Sequence, residues 1–199
     1  MGRKKLLPNR SDLILQAAAE LFSAVSYEKT TLGEIAERAG ISKGSIYLEF
    51  ESKEEILFTL IAQNKEAQLA DMRRLIDTDK STSALATLKA MLVHNIGAIY
   101  EGVVRNRRSP EEMMQSRERL RLRLKPFLDA RLDMIEELLA RAEQTGEIPP
   151  LKERRRTAQL MMMGLRAVLP PYAADTNKVR LQHEAAELLE LILKGLRLP

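Results

Sequence analysis

An all-α fold is predicted by three features of the 199-residue sequence. Leu, Ala, Glu, Arg and Met dominate it, and these residues lose little side-chain freedom in a helix. Its apolar residues recur in blocks at three- and four-residue spacings. Most of its eight prolines and nine glycines stand between those blocks, as punctuation. No run alternates Val, Ile and Thr with the period of two that a strand requires.

The first helix follows from Ile14, Ala17, Ala18, Leu21, Phe22 and Val25, which share one face of a helical period. Asn9 or Ser11 can cap it with a side-chain oxygen. Thr31 and Glu34 then form a capping box, each satisfying a backbone N–H beside the other. Leu32, Ile35, Ala36 and Ala39 stripe the second helix. Gly40 ends it, because only glycine takes the left-handed conformation without a Cβ penalty. Ile41 plugs the turn, and Ser42 caps a third helix whose Ile46, Tyr47 and Phe50 face the core. Ser52 with Glu55 is a second capping box and starts a longer fourth helix, running toward about Ile76.

The spacing of Ala36, Gly40, Ile41 and Ser42 is that of a helix-turn-helix, in which a small residue permits close crossing and glycine permits the turn. The third helix is too short to hold a core of its own. Behind the Ser42 cap, Lys43, Gly44 and Ser45 form an exposed N-terminus able to reach base edges in a major groove about 12 Å wide. Gly44 weakens a helix by about 1 kcal/mol relative to Ala, which suits close approach of backbone and DNA. An ordinary helical hairpin explains the turn alone; the two capping boxes, the Ile46–Tyr47 pair and Phe50 favour DNA binding. Residues 1–54 are therefore read as a DNA-binding domain, with the helix-turn-helix at about 31–50. Residues 55–199 are read as a separate, larger helical domain.

Charge adds nothing to that reading. Residues 1–54 carry eight basic and eight acidic side chains, whereas residues 105–125 carry eight and three, enough to account for the net +4. DNA affinity must then rest on a few well-placed cations, such as Arg3, Lys4, Lys5 and Arg10.

The stretch ILQAAAELFSAVSYEKTTLGEIAERAGISKGSIYLEFESKEEIL resembles the DNA-binding domain of TetR-family transcriptional regulators over roughly residues 10–60. The resemblance implies a dimeric repressor with a divergent helical domain that binds an inducer. It also implies that Thr31, Tyr47 and Lys53 contact phosphates, while Lys43, Gly44 and Ser45 lie at base edges. Two positions depart from the family pattern. Ser26 stands where glycine is usual, which implies a strained or altered turn. Glu49 stands where His or Tyr is frequent, and a carboxylate there is repelled by phosphate.

Further along, Leu85, Leu88, Leu92, Ile96, Ile99 and Val103 stripe another helix. Ser109-Pro110-Glu111-Glu112 is a helix start, with a cap, proline at the first position and acids in the first turn. Pro126 removes a hydrogen bond, so two helices or one kinked helix lead to the Gly146 stop. The last two helices are apolar nearly all round. Leu160, Met163, Gly164 and Ala167 line a second face of one, and Leu188, Leu191 and Leu193 extend the other. A helix apolar on every side is buried on every side; a second copy of the chain supplies that cover most simply, a deep position within one monomer being the alternative.

A ligand pocket is assigned to His94, Tyr100, Phe127, Arg131, Met134 and Met162. Arg131 falls in the middle of an apolar face, either receiving an anionic or carbonyl ligand or snorkelling to an internal partner. Alternate arginines from Arg117 to Arg123 fan around their helix and read chiefly as solvated. Cysteine is absent, as are metal-ligand pairs, a P-loop and a nucleophile elbow. No enzyme, cofactor or metal is expected, and without a membrane span or leader the expected location is cytoplasmic. The expected partners are double-stranded operator DNA, a second copy of the chain and a small-molecule effector. A DNA-binding regulator controlled by a protein partner is the alternative.

Overall fold

A computed structural model describes residues 9–79, 81–106, 117–169 and 177–197. Among them are eight α-helices: α1 (Arg10–Ala24), α2 (Leu32–Ala39), α3 (Lys43–Tyr47), α4 (Lys53–Thr78), α5 (Ala84–Asn106), α6 (Arg117–Gln144), α7 (Arg154–Val168) and α8 (Lys178–Leu196). No described helix is long and apolar enough to cross a membrane. The chain forms two compact units, with α4 contributing to the first up to Asn64 and to the second from Lys65.

In the first unit, α1, α2, α3 and the opening turns of α4 enclose Ile14, Ala18, Phe22, Ile35, Ile46 and Ile56. Asn9 is the cap of α1, its Oδ1 accepting from the Asp12 N–H at 2.7 Å. Gly40 closes α2 at φ 69°, and the N–H of Ile41 donates to the Ala36 carbonyl at 3.0 Å. Such a left-handed stop lets the chain reverse within two residues and start α3 at once.

The second unit packs the rest of α4 with α5, α6, α7 and α8 around Met72, Leu88, Leu92, Leu138, Met161 and Leu189. Helix α6 is continuous through Pro126. Pro126 and Leu122, whose carbonyl loses its intrahelical donor, are both solvent-exposed, so water can satisfy the freed oxygen without a break. The start expected at Ser109-Pro110 lies outside the described residues. Glu147, just after α6, ties that helix end to the start of α5. Its carboxylate accepts from the Ala84 N–H at 2.6 Å, the Leu85 N–H at 3.4 Å and the Ser83 hydroxyl, capping α5 from a residue distant in sequence. Arg155 of α7 pairs with Asp129, Asp133 and Glu136 of α6, fixing those two helices together.

Candidate nucleic-acid interface and ligand cavity

The capping box of α2 forms in full. The Thr31 N–H donates to Glu34 Oε2 at 2.7 Å, and the Glu34 N–H donates to Thr31 Oγ1 at 3.2 Å. The Thr31 N–H and then the Thr31 hydroxyl, at 2.9 Å, donate to the Glu34 carboxyl and hold it below its usual range. Ser42 caps α3 by accepting from the Ser45 N–H at 3.1 Å, and the two hydroxyls lie 2.8 Å apart. Lys43, Gly44 and Tyr47 are exposed beyond this cap, and Ser45 is half-buried. Leu48 is 75% exposed; an apolar side chain so placed suits a thymine methyl, a feature the apolar pattern alone did not single out. Ser52 caps α4 as expected, accepting from the Glu55 N–H at 3.1 Å. The Glu55 carboxylate reaches one residue further back, to the Glu51 N–H at 2.6 Å.

Of two further features of this unit, one was hidden in the sequence and the other, at Ser26, was expected. The Lys53 ammonium donates to the carbonyls of Tyr27, Thr30 and Glu28 at 2.8, 2.7 and 3.3 Å, and lies 4.4 Å from the Tyr27 ring centre. All three of its protons thus tie down the loop leading to Thr31, a task distinct from the phosphate contact expected of it. Within the same loop Ser26 adopts φ 127°, alone among the described non-glycine residues in having a positive φ. Its carbonyl accepts from the buried Thr30 hydroxyl at 2.6 Å, which holds the strained turn in place. Glu49 carries its charge beside Arg10, at 3.6 Å, so one of the cations counted toward DNA is shared with a carboxylate.

The second unit holds a partly open cavity of about 300 Å³. Phe127, Arg131 and Met162 line it; His94, Tyr100 and Met134 do not. His94 is solvent-exposed, because the neighbouring Asn95 takes the inward direction on α5. Met134 lies inside the apolar core and Tyr100 packs against it. Apolar side chains such as Leu69, Met72, Ile96 and Leu165 form most of the wall. Among the described residues its polar groups are Lys65 and Gln68 from α4, Asn95 from α5, Arg131 from α6 and Arg166 from α7, with no Asp or Glu. Arg131 is only 9% exposed. It donates through Nη1 to Asn95 Oδ1 at 3.1 Å, while its buried Nε has no hydrogen-bond partner. Burial, with a smaller push from Arg166, lowers its pKa to about 10. Burial likewise lowers Lys65 to about 8, with Arg131 adding to the effect. Both stay mainly protonated at neutral pH.

On α7 and α8 the surface assigned to a second subunit divides. Leu160, Met163, Ala167 and Leu191 are exposed, Leu191 at 70%. Leu188 is half-buried, and Gly164 faces α8 of its own chain, where an added Cβ would meet Ile192 at 3.7 Å and Leu188 at 3.9 Å. Leu193 is 4% exposed, in the unit's own core with Leu189. It cannot share a face with Leu191, because residues two apart on a helix point about 200° from each other.

A glycine turn presenting a short, capped helix with an exposed N-terminus, carried on a chain that also holds a helical unit with a cavity, is the architecture of a helix-turn-helix transcriptional regulator. The family model described as bacterial regulatory proteins, tetR family, matches residues 14–60. The chain is 30% identical over 165 residues to the nucleoid occlusion factor SlmA of Vibrio campbellii, covering 80% of this chain and 81% of that protein. It is 25% identical over 190 residues to the fatty acid metabolism regulator protein of Bacillus subtilis, covering 92% and 93%. The crystal structure of the transcriptional regulator FadR from Bacillus subtilis in complex with stearoyl-CoA is similar with a TM-score of 0.69 at 25% identity, over 92% of this chain and 97% of that one. The chain belongs to the tetR family: it is a DNA-binding transcriptional regulator and not an enzyme.

Proposed function

We propose that the protein is a cytoplasmic, homodimeric repressor that leaves its operator when a small molecule fills the cavity of its second unit. Residues 1–54 serve as the DNA-binding domain and 55–199 as the ligand-binding and dimerisation domain. Ser42, Lys43, Gly44 and Ser45 approach base edges, while Thr31 and Tyr47 face phosphates. Lys53 acts on the same contacts by holding the loop before Thr31. The second subunit covers Leu160, Met163, Ala167, Leu188 and Leu191, an apolar surface that water would otherwise wet.

The observation that carries this reading is the path of α4. The helix begins at Lys53, directly after the DNA-reading segment, and its later residues Lys65, Gln68, Leu69 and Met72 form part of the cavity wall. A ligand shifts DNA affinity only by binding two conformations unequally. A ligand that tilts α4 does so, and a coupling of roughly 1–3 kcal/mol is typical of such switches.

Selection of bound sequences from random duplex DNA tests the reading. We expect a pseudo-palindromic site occupied by two chains, and a changed base profile at two symmetric positions for Lys43→Ala. An unchanged profile removes the base-reading assignment, and a sedimenting monomer at micromolar concentration removes the dimer.

A further inference from the structure

Resting on the reading of the cavity as the effector site, we infer that the effector is an anionic amphiphile, a carboxylate on an unbranched apolar chain of medium length, with its carboxylate at the buried Arg131–Asn95 pair. Three cations border this cavity, and among the described residues no acidic side chain lines it. Among the described residues none of the three has an ion-pair partner, although Arg73, Arg74, Arg154 and Arg155 of the same unit all do. Lys65 has only the neutral Gln68 Oε1, at 3.1 Å. Arg131 has only the neutral Asn95 Oδ1, and its Nε is left without any acceptor.

A buried donor without an acceptor is uncommon, because the loss of hydration is not made good. An arginine fork with Nε and one Nη open matches a carboxylate, which accepts two parallel N–H bonds. A neutral carbonyl would meet the hydrogen bond but leave the excess positive charge of Lys65, Arg131 and Arg166 unbalanced. A cation would add to it. Size narrows the class further. The cavity, about 300 Å³ and open on one side, has room for an apolar chain of medium length such as that of octanoate. The depth of Arg131 gives a polarity to the fit: the anion lies at an inner, desolvated pair, and the chain lies along Phe127, Met162 and Leu165. An amphiphile that needs its charged head outside has no partner for Arg131.

Titration calorimetry of the full chain with octanoate, 1-octanol and octylamine separates these chemistries with one chain length. Octanoate should bind about ten- to a hundredfold more tightly than 1-octanol, the range for a hydrogen bond to a charged group, and octylamine should not bind. In Arg131→Met the octanoate preference should vanish while 1-octanol binding persists, which also shows the cavity intact. Equal binding of octanoate and 1-octanol by the parent chain, binding of none of the three, or an undiminished octanoate preference in Arg131→Met would each overturn the inference. Adding each probe to the selected operator complex tells this failure from that of the wider reading. Release by 1-octanol alone refutes the anion and keeps the ligand-released repressor. Octanoate that binds without releasing DNA keeps the anion and refutes that repressor.

Discussion

The two units differ in how they treat their polar groups. In the first, the needs are met within the unit: Asn9, Thr31 and Ser42 each satisfy an N–H three residues on, the buried Thr30 hydroxyl finds Ser26 four residues back, and the Lys53 ammonium finds three carbonyls. In the second, the buried charge of Arg131 has one neutral partner and an orphaned Nε. A reading head must keep one shape whether or not DNA is present, and internal satisfaction gives it that. A sensor must gain free energy from its ligand, and a group left unsatisfied inside a cavity supplies the gain.

The largest expected effect breaks the first unit alone. Ile46→Ala truncates a fully buried side chain and should lower stability by about 2–4 kcal/mol. Chemical denaturation should register that loss, with DNA binding weakened and octanoate binding in the second unit retained. The opposite sign is expected for Arg131→Met. Replacing a buried, unpaired charge with an apolar chain of similar length should raise stability by about 1–3 kcal/mol. A fall in Tm would mean that Arg131 is stabilising without a ligand and would remove the contrast between the units.

Ser26→Gly should stabilise by about 1 kcal/mol, because glycine accepts the positive φ that serine reaches only under strain. Thermal unfolding of the variant checks this, and a neutral result would mean that the Thr30 hydrogen bond fully offsets the strain. Glu49→Gln should tighten operator binding about two- to fivefold at low salt by removing phosphate repulsion and freeing Arg10. Fluorescence anisotropy with labelled operator measures it, and equal affinity would place Glu49 away from the DNA backbone.

The smallest effect is one of pH. Burial raises the Glu147 pKa, but the hydrogen bonds from Ser83, the Ala84 and Leu85 N–H groups and Thr145 outweigh it and hold the carboxyl below its usual value. A depressed folded-state pKa stabilises the protein above the ordinary glutamate range and loses that contribution as pH falls through roughly pH 4 and below. Glu147→Gln should flatten the acid side of the stability profile, and an unaltered slope would assign it to other carboxylates.

What the sequence revealed follows the range of each interaction. The Thr31–Glu34 box, the Ser42 cap, the Gly40 stop and the core stripe of Ile14, Ala18 and Phe22 all act within a helix turn or two, so residue spacing carries them. The strained Ser26 was visible as a departure from a family pattern. The carbonyl partners of Lys53 were not legible because they lie 23 to 26 residues earlier, a meeting that no local spacing encodes. The cavity wall was half legible for a related reason. Phe127 and Arg131 lie on one face of α6, but Lys65, Gln68 and Asn95 join them only through the packing of α4 and α5. Leu193 and Gly164 show the limit on α7 and α8: periodicity finds apolar faces but not which face the chain's own neighbours cover.

If a ligand tilts α4 as proposed, filling the cavity of the second unit should change the spacing of the two reading heads in the dimer. The chain has no cysteine, so a Lys43→Cys variant takes a single spin label per subunit. Lys43 is exposed, and octanoate is the ligand to add. Pulsed dipolar spectroscopy should show one distribution of label separations without it, matching that of the operator complex, and a displaced distribution at concentrations that release the operator. Release of DNA with the same mean separation and the same width would contradict the account.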